Sequence, residues 1–258
     1  MNYSHILLDR SKRLLLILGG FFICNTLVAE FVGVKIFSFE DSVGIAKFNW
    51  SILSETGTLS FSAGTILWPV VFIMTDIINE YYGKKAVRFL SYLTVALILY
   101  AFIMVSWAIN LAPAEWWQNI FSEQGIDMQQ SFAVVFGQSN RIIIASMIAF
   151  IVGQLLDATI FKKIRDMLGE KMIWLRATAS TAVSQLVDSF LILYIAFVLG
   201  PQQWSHNLFM AVGTVNYIYK MCAAVALIPL LYLVRYAIEK YLGQELAEKL
   251  KLDAEHSQ

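Results

Sequence analysis

Six long apolar blocks, separated by shorter polar connections, organise this chain. Each block has about 20 residues or more, the length at which a helix crosses the hydrocarbon core of a bilayer. The pattern predicts an all-α, polytopic membrane protein with six transmembrane helices, at residues 14–37, 64–82, 87–110, 142–161, 177–199 and 208–235. We expect a single transmembrane domain over residues 1–240 and a short solvated helix that frays over residues 241–258.

Composition narrows this interpretation. Hydrophobic residues make up 58% of the chain and charged residues 15%, whereas soluble domains carry roughly 25% charge. The net charge is zero, and no basic stripe with interleaved aromatic residues predicts a nucleic-acid partner. His5, His206 and His256 all lie outside the predicted spans, which argues against a metal site or a histidine relay within the membrane. We predict neither a metal nor a cofactor.

The positive charges predict the orientation, because cytoplasmic loops carry an excess of lysine and arginine. In the six-span arrangement only Lys47 and Arg141 lie on one side, where residues 38–62 are expected to form a lid or a short hairpin. The other side carries 15 such residues: Arg10, Lys12, Arg13, Lys84, Lys85, Arg88, Lys162, Lys163, Arg165, Lys171, Arg176, Arg235, Lys240, Lys249 and Lys251. Both termini are therefore predicted to be cytoplasmic.

Several charges fall inside the predicted spans, where an unpaired charge is costly and a charged residue is a candidate for function. Carboxylates exceed cations there by three, since Glu30, Asp76, Glu80, Asp157 and Asp188 stand against Lys35 and Lys220. Asp76 and Asp188 are the deeper carboxylates. Glu80 and Asp157 lie within one or two turns of Lys84 and Lys162, so interfacial ion pairs explain them at least as well as a functional role does.

Helical spacing gives each of four spans one small or polar face, because residues three, four and seven apart share a face. The sequence Gln154-Leu-Leu-Asp157 recurs on the next span as Gln185-Leu-Val-Asp188. We expect these two pairs to face one central polar cavity at similar depth. Close helix packing explains the small residues of these faces, but it does not require the buried charges.

Three segments, taken in this order, closely resemble the bacterial queuosine precursor transporters, a vitamin-uptake-like family: WPVVFIMTDIINEYYGKKAVR, IASMIAFIVGQLLDATIFKKIR and RATASTAVSQLVDSFL. The resemblance extends over essentially all six spans. It implies a multi-pass protein of the bacterial inner membrane that imports 7-cyano-7-deazaguanine and/or 7-aminomethyl-7-deazaguanine. These bases are precursors salvaged for queuosine, a modified tRNA nucleoside. The resemblance implies no catalytic residues, so no enzyme is expected.

The polar inventory suits such a base. A carboxylate accepts two parallel N–H donors, an amide donates to a carbonyl, and aromatic rings stack on a flat face. We expect Asp76 or Asp188 to accept the guanine-like edge and Lys220 to neutralise a carboxylate before substrate binds. The predicted substrate-binding residues are Asn25, Trp68, Phe72, Asp76, Asn79, Glu80, Gln154, Asp157, Gln185, Asp188 and Lys220.

Two other readings within transport stay open at this point. The same cavity suits another flat heterocycle or a vitamin. The chain also suits a substrate-binding subunit of an ATP-driven uptake complex, in which a partner must supply the ATPase because the sequence has no Walker-type loop. An intramembrane enzyme is disfavoured, because the spans contain no histidine and no recognised nucleophile motif. The sequence leaves open the energy source, the precise precursor and a homo-oligomeric assembly.

Overall fold

The computed structural model describes residues 9–137, 140–168 and 172–256; His5 and Lys171, used in the interpretation above, lie outside these ranges. Ten α-helices occur within the ranges: α1 (Arg10–Val32), α2 (Phe39–Val43), α3 (Trp68–Ile109), α4 (Glu115–Gln118), α5 (Met128–Phe136), α6 (Asn140–Leu168), α7 (Ile173–Leu193), α8 (His206–Ala226), α9 (Ile228–Leu242) and α10 (Gln244–His256). The other elements there are four strands, β1 (Ile36–Ser38), β2 (Trp50–Ile52), β3 (Glu55–Gly57) and β4 (Ser60–Ser62), two 3₁₀ turns (Ala63–Ile66 and Ser122–Gln124) and a π-helical turn (Tyr194–Val198).

Five segments of the described chain are long and apolar enough to cross a membrane: Arg10–Val32, Ala63–Ile109, Met128–Leu168, Ile173–Val198 and His206–Ala226. Large apolar side chains also point outward on these helices, as at Phe89 (67% exposed) and Ile103 (63% exposed). Such surfaces are unfavourable in water and suit lipid. The expectation of an all-α, polytopic membrane protein is therefore confirmed.

The predicted spans 64–82 and 87–110 both fall within α3 and the turn before it, which together extend over 47 residues. The chain reverses at Gly83, whose φ of 76° and ψ of 174° are non-helical. The contacts of α3 with α1 show the reversal. Before Gly83, the carbonyl of Leu67 accepts a hydrogen bond from Asn25, in the second half of α1. Fifteen residues later, the hydroxyl of Tyr82 donates to the carbonyl of Ser11, at the start of α1, at 2.7 Å.

After Gly83 the chain runs back along α1 in the opposite direction. Leu90 lies against Gly19, and the ring of Phe102 lies 5.3 Å from that of Phe31. The two halves of α3 are thus antiparallel, and each is close to the length of a membrane span.

The last predicted span differs from the structure. One span was expected over residues 208–235, with Pro229 able to kink it, but the structure has two helices there: α8 ends at Ala226 and α9 begins at Ile228. Pro229 occupies the first turn of α9. Proline has no backbone N–H and suits the first turn of a helix, so the sequence starts a new helix there rather than extending the old one.

The segment 36–62 folds as two small β-pairs. Antiparallel β2 and β3 form a hairpin, and β1 pairs with β4 so that Phe37 lies opposite Phe61. Buried Glu40 holds this segment together, because its carboxylate accepts hydrogen bonds from the N–H groups of Leu59 (2.8 Å) and Phe48 (3.3 Å). Burial alone would raise the pKa of Glu40, but these hydrogen bonds keep the pKa below its usual value.

The C-terminal helix α10 was expected to be solvated, but one of its faces is packed against the bundle. Ala247, Lys251 and Ala254 are buried on that face. The ammonium of Lys251 lies 2.8 Å from Glu239 and over the ring of Tyr81. The helix docks because its small and long-stemmed residues repeat at helical spacing, which leaves only the opposite face in solvent.

Substitution of Gly83 by alanine should destabilise the protein. Its positive φ with extended ψ is accessible essentially only to glycine, so a side chain there adds roughly 1–3 kcal/mol of backbone strain. The measurement is the thermal unfolding midpoint of the purified protein in detergent. Gly20→Ala is the matched control, because a Cβ at Gly20 meets no atom within 4 Å and the helix favours alanine. Equal midpoints for the two variants would contradict this prediction.

Candidate functional site

A cavity of about 670 Å³ lies between α1, α6, α7 and α8, next to the segment that contains β1 and β4. This volume is in the range of small-molecule sites. Its polar side chains include two carboxylates and one ammonium among hydroxyl and amide groups: Glu30, Thr65, Ser146, Asp188, Ser189, Asn216 and Lys220. The arrangement can bind a ligand that presents both hydrogen-bond donors and acceptors.

The two carboxylates of the cavity come from different helices. Glu30, near the end of α1, accepts a hydrogen bond from the hydroxyl of Ser146 on α6. Asp188 on α7 forms an ion pair with Lys220 on α8, with 2.6 Å between Oδ2 and Nζ. The pair is mostly shielded from solvent, since the two side chains are 18% and 9% exposed. One carboxylate of the cavity is thus compensated by a cation and the other by a hydroxyl donor.

Aromatic rings form part of the cavity wall. Trp68 lies at the start of α3, and its ring centroid is 5.7 Å from that of Phe150. Phe61 on β4 stacks on Tyr219, with centroids 4.1 Å apart and an angle of 25° between the rings. Gly64 allows the chain next to Trp68 to approach α1, because a Cβ at Gly64 would lie 2.5 Å from the carbonyl oxygen of Ala29. A flat ligand can therefore meet aromatic surface beside the carboxylates.

Of the predicted substrate-binding residues, Trp68, Asp188 and Lys220 line this cavity. The ion pair between Asp188 and Lys220 is the arrangement expected before substrate binds. Three other predicted residues connect helices instead. Asn25 donates to the carbonyl of Leu67 at 3.2 Å, Asn79 donates to the carbonyl of Ala158 at 2.9 Å, and Gln154 accepts from Thr75 at 2.5 Å.

Glu80 lies in a buried ion cluster, away from the cavity. Its carboxylate is 3.1 Å from the guanidinium of Arg176, and both side chains are fully buried. Arg165 and Arg235 lie 4.0 Å from the same carboxylate. The sequence suggested Lys84 as the partner, but the structure pairs Glu80 with arginines from α6, α7 and α9, because these helices meet at this level.

The repeated Gln–Asp pairs do not face one cavity. Gly153 lies against Asp188, whereas Asp157 accepts a hydrogen bond from Ser184 at 3.1 Å. In both pairs the aspartate follows the glutamine by three residues. Because α6 and α7 are antiparallel, these three residues lead toward opposite ends of the helix interface, so the two aspartates lie at different levels. Asp188 therefore reaches the cavity, while Asp157 is buried between helices and pairs with hydroxyls rather than with Lys162. Gln185 is also buried and does not line the cavity.

The remaining predicted residues, Phe72 and Asp76, border a separate cavity of about 20 Å³. Thr178 and Thr181 of α7 lie on its opposite side. The deep position of Asp76 was expected from its place in the span, but its separation from the large cavity was not. Whether any of the predicted residues binds substrate stays a prediction.

Sequence reasoning did not include Glu30 and Ser146 among the substrate-binding residues. Glu30 was visible as one of the surplus carboxylates, and Ser146 as a member of a polar helical face. Their hydrogen bond joins positions 116 residues apart in the sequence, and helical spacing carries no information about such a contact.

A protein-family model for putative vitamin uptake transporters matches residues 62–234 of the chain. The chain belongs to this family. The matched region contains α3, α6, α7 and α8, and therefore most of the walls of the large cavity. The family resemblance expected from the sequence is confirmed, and the family is one of membrane transporters.

Three curated proteins that are similar to this chain carry a more specific name. A probable queuosine precursor transporter of Bacillus subtilis (strain 168) is 28% identical over 72% of the chain and 75% of its own length. One of Haemophilus influenzae is 27% identical, with 87% of each protein covered. The queuosine precursor transporter of Escherichia coli (strain K12) is 25% identical over 81% of the chain and 88% of its own length. No solved structure matches the chain.

Replacing Arg176 by leucine should strongly destabilise the protein, because Glu80 would keep a buried charge without its nearest partner. Loss of one member of a buried ion pair costs about 3–5 kcal/mol. The measurement is the thermal unfolding midpoint, with exposed Arg88→Leu as the control. The double variant Glu80→Gln with Arg176→Leu should recover part of the loss. A midpoint for Arg176→Leu no lower than that of the control would show that the pair contributes little.

Proposed function

We propose that this chain imports the 7-deazaguanine precursors of queuosine, 7-cyano-7-deazaguanine and 7-aminomethyl-7-deazaguanine. The names of the three relatives support this cargo. The observation that carries the proposal is the presence of two carboxylates, one ammonium and aromatic rings on one cavity of suitable volume. The substrate is a small molecule, and the chain's role is transport rather than catalysis.

The guanine-like edge of the base suits a carboxylate. Adjacent ring N–H and exocyclic amine groups form two parallel hydrogen bonds to carboxylate oxygens. Asp188 is our first candidate for this contact, because it forms an ion pair with Lys220 and the donors of the base can replace the ammonium. Glu30 then lies at the same cavity as a second acceptor. A cationic aminomethyl group would be favoured by this second carboxylate.

The proposed arrangement in the membrane has six crossings, with α3 crossing twice. The antiparallel contacts of its two halves with α1 support this. The excess of lysine and arginine near the turn at Gly83 and in α9 and α10 supports cytoplasmic termini in the inner membrane. In that orientation the cavity lies in the outer half, because β1 and β4 border it, and substrate enters from outside. One transmembrane domain with a docked C-terminal helix is the corresponding domain arrangement.

A vitamin is the second candidate cargo, and the description of the matching family favours it. A vitamin with a flat, donor-rich ring would use the same carboxylates and aromatic rings. Thermal stabilisation of the purified protein by a panel of deazaguanines and vitamins distinguishes the two, because a ligand that binds only the folded state raises its stability.

Transport should be visible as queuosine in tRNA. We would express the chain in bacteria that neither synthesise the precursors nor possess their own importer, and supply nanomolar precursor. The wild-type chain should restore the modification. Asp188→Asn and Glu30→Gln should each lower uptake by about 10–100-fold, because a hydrogen bond to a charged group contributes roughly 1.5–3 kcal/mol. The measurement is the modified fraction of tRNA.

Asp41→Asn is the control for this experiment, because Asp41 is an exposed carboxylate outside the cavity. All variants must reach the membrane in equal amounts, as measured by immunoblot. Failure of the wild-type chain to restore queuosine despite good expression would refute the proposed cargo. Normal uptake by Asp188→Asn would remove Asp188 from the binding site.

A further inference from the structure

We propose that Asp76 and Asp157 share one exchangeable proton and that this site couples transport to proton movement. The inference rests on the proposed function for its transport step, but not for the existence of the site. It assigns these two aspartates to the energy source rather than to substrate recognition. Their burial, their hydrogen bonding and the balance of charge around them support this assignment.

Both carboxylates are buried and incompletely satisfied. Asp76 is 2% exposed and Asp157 is fully buried. Asp76 Oδ1 and Asp157 Oδ2 have no hydrogen-bond partner among the described residues. An ionised carboxylate in such surroundings is strongly destabilised, whereas a protonated one carries no charge.

Asp76 borders the small cavity of about 20 Å³. A cavity needs roughly 10–15 Å³ to hold one water molecule, so this cavity has room for one proton-carrying water. Thr181 borders the same cavity, and its hydroxyl donates to Asp157 Oδ1 at 3.5 Å. A short polar path therefore leads from Asp76 through the cavity and Thr181 to Asp157.

The chemistry of the cavity favours a proton over a metal cation. Asp76, Thr178 and Thr181 supply its polar side chains, and the other side chains that line it are apolar. Among these are Ala224 from α8, Leu227 from the junction between α8 and α9, and Ile228 and Leu231 from α9. A sodium or calcium ion needs more oxygen ligands than this wall supplies, whereas a proton needs one carboxylate oxygen.

The charges around Asp76 can balance one ionised aspartate but not two. The charges that act on Asp76 include those of Glu80, Asp157 and Arg176. Glu80 belongs to a cluster of ion pairs with four cations and three carboxylates: Arg165, Arg176, Arg235, Lys251, Glu80, Glu239 and Glu255. The one excess positive charge balances one of the two aspartates. The other is neutral when it holds the shared proton.

In the transport cycle, a proton from the outer solution binds to the carboxylate pair as substrate is taken up. It leaves the same carboxylate for the inner solution after the helices rearrange. No other bond is formed or broken. One proton then accompanies each molecule of the neutral cyano precursor.

Infrared spectroscopy tests the site without any substrate. The purified full chain should show the C=O stretching band of a protonated carboxyl group at neutral pH. Asp76→Asn and Asp157→Asn should each lose this band, because the remaining aspartate is then balanced by the excess positive charge. Glu248→Gln, which changes an exposed residue of α10, is the control and should keep the band. Wild-type and variant spectra that coincide in this region would overturn the proposal.

Liposomes containing the purified protein test the coupling. With an interior more alkaline by one pH unit and no membrane potential, coupling to one proton predicts roughly tenfold accumulation of 7-cyano-7-deazaguanine. Asp76→Asn should abolish accumulation while exchange of labelled for unlabelled substrate continues.

The outcomes separate the two proposals. Exchange without accumulation in the wild-type protein would refute proton coupling and leave the proposed cargo intact. Absence of exchange in the wild-type protein would refute the cargo, and the infrared band would still decide whether the proton site exists. Loss of exchange in Asp76→Asn would assign Asp76 to substrate binding or folding instead of coupling.

Discussion

The cost of placing charge inside a bilayer shapes this protein. Each buried ion needs a partner of opposite charge, a set of hydrogen bonds or a proton. This protein uses all three kinds of compensation. Glu80 has arginines, Glu30 has the hydroxyl of Ser146, and the Asp76–Asp157 pair is assigned a proton. These compensations fix which helices must meet and at what level, so the bundle is organised as much by its few charges as by its apolar surface.

The Glu80–Arg176 pair and the Asp188–Lys220 pair have different surroundings. Glu80 and Arg176 are fully buried and linked to further charges on three helices, so separating them would disrupt the end of the bundle at which these helices meet. Asp188 and Lys220 border a cavity and involve only one another among the ion pairs of the described residues. A pair of the second kind can exchange its partner for a ligand at little structural cost. A ligand site therefore lies more naturally at Asp188 than at Glu80.

The sequence predicted the features that depend on long local patterns. Apolar runs located the helices, and the surplus of carboxylates within them indicated a polar interior. Contacts between distant helices were not predictable in the same way. Glu80 is nearer in sequence to Lys84 than to Arg176, yet only packing decides its partner. The antiparallel arrangement of α6 and α7 separated Asp157 from Asp188, and the Gln–Asp repeat on its own could not show this. The proline at position 229 is a local signal for an interruption, but the apolar residues on both sides of it do not show that one helix ends and another begins there.

The docked α10 helix affects how the protein is made. Arg165 donates to the carbonyls of Glu80 and Lys251 and pairs with Glu255. Lys251 and Glu255 are translated 86 and 90 residues after Arg165. Until the ribosome has released them, this guanidinium is only partly compensated. This end of the bundle consequently reaches its final packing only after α10 has been made, and a chain that stopped before α10 would leave Arg165 without the carbonyl of Lys251 and the carboxylate of Glu255.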